Sequence, residues 1–204
     1  SRDITTAATY YNVEVNMGAN TLTLLSNLTL NGSLLVKSGT FSINNATATN
    51  NLNIIVRKDI TINAAGNIVT GSANARHQLD LYGDLKNHGH LAFTNRTAPN
   101  YTAEATDGIV DLNCLNTAAD QSILCDGPSN FYRIKIDKGA DDTYILNIDA
   151  TSPTNFNLFG YANYGNPNIS QLVTNPNALA LLKGTVRIGD GVTIGCLVNY
   201  GNYN

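Results

Sequence analysis

The residues of this 204-residue chain best able to do chemistry are three histidines, three cysteines and a scatter of aspartates. His88 and His90 are separated by one residue, a spacing that puts both imidazoles on one face of a strand, and His77 precedes them. A zinc site would need a third ligand of defined geometry, for which Asp80 and Asp84 are the nearest candidates. Asn87 and Gly89, both turn formers, frame the first histidine, so the pair reads as a solvated turn and no metal site is expected. Asp126-Gly127, Asp141-Asp142 and Asp190-Gly191 offer oxygen ligands for calcium, but no Gly-Gly-x-Gly-x-Asp repeat accompanies them. Turn-forming aspartate is the stronger reading. Glycoside hydrolysis needs two carboxylates facing each other across a groove, whereas Asp80 and Asp111 each alternate singly with leucine or isoleucine along a strand. No Gly-x-Ser-x-Gly nucleophile signature is present. Cys114, Cys125 and Cys196 lack metal-ligand spacing and read as small core thiols, although a bond between Cys114 and Cys125 is open at this level. The chain is therefore expected to be non-catalytic, with no cofactor.

Recognition chemistry is concentrated elsewhere. Residues 159–177 are rich in Asn, Gly, Tyr and Pro, and Tyr161 and Tyr164 are the candidate binding residues, since a phenol ring offers an apolar face and a polar tip to a sugar or a protein. Tyrosines packed against the body of the protein are the competing reading. Asn-x-Ser/Thr triplets at Asn27, Asn31, Asn45, Asn95, Asn100 and Asn168 carry little weight in a chain with 30 Asn and 22 Thr.

The elements that must position these residues are short strands. Thr21-Leu22-Thr23-Leu24, Asn27-Leu28-Thr29-Leu30, Ser33-Leu34-Leu35-Val36 and Thr40-Phe41-Ser42-Ile43 alternate polar and apolar residues between Asn- or Gly-rich breaks. The pattern resumes at Leu52–Val56, Asp59–Ile62, Asn67–Val69, Gln78–Leu81, His90–Phe93, Ile109–Leu112 and Gln121–Leu124. Helix signals are nearly absent; Asn177–Leu182 is the most tolerant stretch and is too short to be stable alone.

Two longer rhythms run through these strands. Tyr10-Tyr11-Asn12-Val13-Glu14-Val15-Asn16-Met17-Gly18 is echoed by Phe131-Tyr132-Arg133-Ile134-Lys135-Ile136-Asp137-Lys138-Gly139, which suggests the same strand and turn in two coils. Lys37-Ser38-Gly39-Thr40 and Lys183-Gly184-Thr185 continue the echo, with the second copy lengthened around residues 159–177. Leu22, Leu52, Leu79 and Ile109 open successive rounds of 27 to 30 residues. These observations predict an all-β fold: a parallel β-helix, or β-solenoid, expected to be right-handed, with coils of about 27–30 residues stacking like on like. Residues 1–204 are expected to form one such domain within a longer chain. Propellers and sandwiches do not account for the rhythm.

Charge is sparse, at 13% of residues with a net of −3, which leaves no footprint for nucleic acid or anionic membrane. No run approaches the roughly 18 apolar residues of a membrane helix.

The aromatic strand ending in Asn/Asp-x-Gly, then Leu-Thr-Leu, Ser26-Asn27-Leu28-Thr29-Leu30-Asn31-Gly32-Ser33-Leu34, Asp59-Ile60-Thr61-Ile62-Asn63 and Gly83-Asp84-Leu85-Lys86-Asn87-His88-Gly89, resembles the repetitive segments of large adhesin-like surface proteins of Bacteroidetes-type bacteria. The resemblance covers most of residues 10–148 and implies export to the cell surface or the medium. The function expected is a rigid stalk or adhesin module contacting a glycan or a surface protein. A solenoid end exposes an apolar cross-section, so further chain, a subunit or a partner is expected to stack on the C-terminal end. A polysaccharide lyase or glycoside hydrolase is the alternative; an ice- or polymer-binding solenoid ranks last, because Thr21-x-Thr23 does not recur in every coil.

Overall fold

The computed structural model describes residues 2–45, 47, 49–71, 75–95, 108–159 and 178–194, and every helix or strand among them is a strand. The cause is the alternation. Leu34 and Val36 are buried with Leu35 between them half-buried, and Ile60–Ile62, Ile134–Ile136 and Leu146–Ile148 repeat the pattern.

The chain visits three strand ladders in turn. A first circuit runs through β1 (Arg2–Ile4), β2 (Ala8–Tyr10) and the start of β3 (Val13–Leu24). The end of β3, then β4 (Leu28–Leu30) and the start of β5 (Leu34–Ile43), make the second. The third uses the end of β5, β6 (Asn53–Val56) and the start of β7 (Ile60–Thr70); the fourth uses the end of β7, β8 (Ala75–Leu81) and β9 (Leu85–Asn87). Three circuits of separate strands follow: β10 (His90–Ala92), β11 (Gly108–Cys114) and β12 (Gln121–Cys125); β13 (Ser129–Phe131), β14 (Arg133–Asp137) and β15 (Ile145–Ala150); β16 (Phe156–Leu158), β17 (Leu179–Lys183) and β18 (Thr185–Ile188). The middle ladder is a seven-stranded sheet, β2-β4-β6-β8-β11-β14-β17. The first and third ladders merge into one eleven-stranded sheet because β3, β5 and β7 carry their pairing around a corner. All strand pairs are parallel; an isolated antiparallel bridge joins Thr94 to Ile109.

Register stacks like on like. Leu28, Ile54, Leu79, Leu112, Ile134 and Leu179 form one column of the middle ladder. Val13, Leu34, Ile60, Leu85, Ile123, Ile148 and Ile188 form one of the third. Leu22, Phe41, Ile68 and Leu91 form one of the first, and beside it Phe131 packs between Phe93 and Phe156 with ring centroids 6.1 and 5.3 Å apart. Their inward side chains make one continuous core.

Three expectations are corrected here. The circuits are not of 27–30 residues: register partners lie 19 residues apart from Leu22 to Phe41 and 45 apart from Ile134 to Leu179. Stacking fixes strand length, whereas corners lengthen freely because loop closure costs grow slowly. Nor do Leu22, Leu52, Leu79 and Ile109 stack on one another, since Leu22 pairs with Phe41 and Leu79 with Leu112. The echoed motif also occupies different ladders. Val13 and Val15 sit in the third ladder and Ile134 and Ile136 in the middle one. What the copies share is local: each alternating run leads to a glycine with positive φ where the chain turns toward the next ladder, Gly18 (59°) within β3 and Gly139 (87°) after β14. The second pair, Gly39 (81°) and Gly184 (92°), is displaced by the same single ladder.

Candidate functional site

Tyr161 and Tyr164, the expected binding residues, lie outside the described residues, as do Cys196 and most of the 159–177 insertion; Phe159, at its start, is buried. The histidines go to three different environments. His77 is inside the core on β8, where its Nδ1 accepts the Leu52 N–H at 3.0 Å. That bond fixes the proton on Nε2, which is buried without a partner, and burial lowers the pKa to about 4. His88 lies in the corner after β9, its Nδ1 2.7 Å from Asp126 Oδ2, while His90 opens β10 beyond Gly89. Among the described residues no group of three His, Cys, Asp or Glu side chains comes together to hold a metal.

The aspartates are occupied in joining one circuit to the next. Asp80 Oδ1 accepts from Gln78 Nε2 at 2.8 Å and Asn113 Nδ2 at 2.7 Å; Asp111 takes Arg76 Nε at 2.8 Å, with Arg133 Nη1 3.9 Å away. Asp141 Oδ1 accepts the Thr143 N–H and hydroxyl hydrogen bonding there holds its carboxyl below the usual range, the signature of a turn. Cys114 and Cys125 are both free and buried, on the middle and third ladders, so the open question of their pairing is answered against a bond. Burial pushes their thiols up, to about 12 and about 11, which leaves them unreactive.

What comes together instead is a cleft at the corner where the middle ladder passes into the third. It is open to solvent, has a volume of about 450 Å³ and is lined by Arg57, Lys58, Asp59, Tyr82, Gly83, Asp84, Asn116, Ala118, Ala119 and Asp120. The corner is three residues long after β6 and β8 (57–59 and 82–84) but six after β11 (115–120), and the cleft is the step between the short corners and the long one. Each aspartate spends one oxygen on the circuit above: Asp59 Oδ1 accepts Asp84 N–H at 2.8 Å, Asp84 Oδ1 accepts Ser122 N–H at 2.9 Å, and Asp120 Oδ1 accepts Ile145 N–H at 2.8 Å. Lys86 Nζ stands 3.6 Å from Asp84 Oδ2. The second oxygens of Asp59 and Asp120 have no partner among the described residues, and neither do the cationic ends of Arg57 and Lys58 in hydrogen bonds or ion pairs. The Arg57 guanidinium lies over the Tyr82 ring, 4.4 Å from its centroid.

A buried polar network fixes the long corner. Lys138, fully buried just after β14, donates from Nζ to Asn116 O at 3.0 Å, Ala119 O at 2.9 Å and Gln121 Oε1 at 3.0 Å, using all three ammonium hydrogens. Burial lowers its pKa, opposed by the neighbouring Asp120 and Asp84 carboxylates. Gln121 Nε2 reaches back to Leu81 O at 3.1 Å and Gly83 O at 2.7 Å, and Asn116 Nδ2 to Tyr82 O at 2.8 Å. The upper lip of the cleft is thus tied to the lower one. None of this was visible in the sequence, because the lining comes from three segments that each read as an ordinary turn; the one available signal was Lys138, a lysine sitting next to an apolar strand.

Searches of family models, of curated proteins and of solved structures find no match to this chain.

Proposed function

We propose that the chain is a parallel β-solenoid, wound right-handed as parallel crossovers are, that serves as a non-catalytic stalk or adhesin module at the cell surface or in the medium, in contact with a glycan or a surface protein. The observation that carries this reading is the employment of the acidic side chains: Asp59, Asp80, Asp84, Asp111 and Asp120 bind the neighbouring circuit. In each of these carboxylates at least one oxygen is spent on stacking, which supports a structural employment for them. The resemblance to adhesin-like surface proteins of Bacteroidetes-type bacteria supports the extracellular setting. Among the described residues the outer edges of β16, β17 and β18 are unpaired, and Leu181 (52% exposed), Leu182 (58%) and Ile188 (39%) stand open there. These features support further chain, a subunit or a partner stacking on that end.

Two measurements test the reading. Small-angle scattering should fit a short stack of seven circuits, about 30 Å tall at the spacing of paired strands, and incubation with a panel of plant, algal and host polysaccharides should release neither reducing ends nor unsaturated products. Sustained product release that grows with protein concentration would replace the stalk with a carbohydrate-active enzyme, and scattering that does not fit a stack of seven circuits about 30 Å tall would remove the solenoid.

A further inference from the structure

We propose that the corner cleft between Arg57, Lys58, Asp59, Tyr82 and Asp120 is a binding site for an uncharged saccharide of one or two residues. The choice of a sugar rests on the glycan-contact reading above; the location and the neutrality rest on the cleft itself. A volume of about 450 Å³ is within the roughly 300–1,000 Å³ of small-ligand sites and is too small for a long polymer to be enclosed. Its unspent groups are of both kinds: free carboxylate oxygens on Asp59 and Asp120 accept, and Arg57 and Lys58 donate. A sugar hydroxyl donates and accepts at once, so vicinal hydroxyls satisfy both sets, which a purely anionic or purely cationic ligand cannot. Lining and rim charges are of mixed sign, Arg57, Lys58 and Lys86 beside Asp59, Asp84 and Asp120 with the Lys138 ammonium behind the long corner, so no single-signed field selects an ion. The Tyr82 ring, held by Arg57 at 4.4 Å, supplies an apolar edge for the C–H side of the ring. Preorganisation is the last element. The Lys138 network holds residues 116–121 in one shape before any ligand arrives, which lowers the ordering cost of binding.

The test uses the full 204-residue chain and a panel of neutral disaccharides (maltose, cellobiose, lactose, mannobiose and xylobiose), with a uronate-containing disaccharide as the charged control, read by saturation-transfer NMR and calorimetry. The variants are Arg57→Ala and Asp120→Asn, the second keeping an oxygen to cap the Ile145 N–H, so that folding is preserved and is checked by circular dichroism and melting. At least one neutral disaccharide should bind, and each variant should weaken it by about tenfold or more, the worth of one hydrogen bond to a charged group. No binding by any neutral sugar, binding only of the uronate, or affinity unchanged in folded variants each overturns the site. These outcomes leave the stacked fold and the absence of cleavage untouched, so failure here is separable from failure of the stalk reading.

Discussion

His77 and Lys138 are both buried and titratable, and the fold deals with them in opposite ways. Lys138 has three acceptors for three hydrogens, whereas His77 leaves its Nε2–H unmet. The histidine gives the molecule an acid-sensitive point. Its pKa falls from 6.5 in the unfolded chain to about 4 in the fold, so between those values the unfolded state binds the extra proton. Stability from this source is complete above pH 6.5 and is lost as pH falls toward 4, by about 3 kcal/mol at 1.36 kcal/mol per unit. Urea unfolding across that window should show the slope in the wild type and a flatter profile in His77→Leu, whose lower plateau reflects the unpaired Leu52 N–H. Lys138→Met should lower stability by about 2–4 kcal/mol, because it leaves Asn116 O, Ala119 O and Gln121 Oε1 short of a donor. Hydrogen exchange should speed up in residues 115–121 before anywhere else in that variant.

Corners, more than strands, distinguish the elements of this protein from one another. Gly39 and Gly18 both have positive φ, yet a Cβ on Gly39 would stand 2.6 Å from Asn20 O and 3.0 Å from Gly18 O, while one on Gly18 meets nothing within 4 Å. Gly39→Ala should therefore cost about 2–4 kcal/mol by thermal or urea unfolding and Gly18→Ala only about 1. Gly18→Asn should cost less still, as Asn44 already holds a φ of 72° here. The strands themselves were legible: Leu34-Leu35-Val36, Asn53–Val56 and Ile60–Ile62 alternate as plainly in the sequence as in the fold. Their assignment to circuits was not, since Leu22, Leu52 and Leu79 carry the same apolar character on every ladder and corner length sets which residues meet. The Asn- or Gly-rich breaks between the first strands were likewise only half right, because β3 runs through Gly18 and β5 through Ser38-Gly39. The cleft could not be read at all, as the proximity of Arg57, Tyr82 and Asp120 follows from register and corner length together.

At the scale of the molecule, each circuit contacts chiefly the one before and the one after, so stability should be graded along the stack. Native-state hydrogen exchange should be slowest in β6, β8, β9 and β11, which are paired on both sides, and fastest in β1, β2, β17 and β18 at the edges of their sheets. Equal protection from end to end would mean that the circuits unfold as one unit. The echoed motif bears on how such a stack can change. Its two copies sit one ladder apart, so the unit that recurs is a strand with its glycine corner, a third of a circuit, and not the circuit itself. Adding or removing one such module shifts the phase of everything downstream. A loop that faced one side of the stacked circuits then faces another, and the interior accepts the change because valine, leucine and isoleucine serve on all three ladders. A chain built this way can carry a loop from one side of the stack to another without redesigning its core.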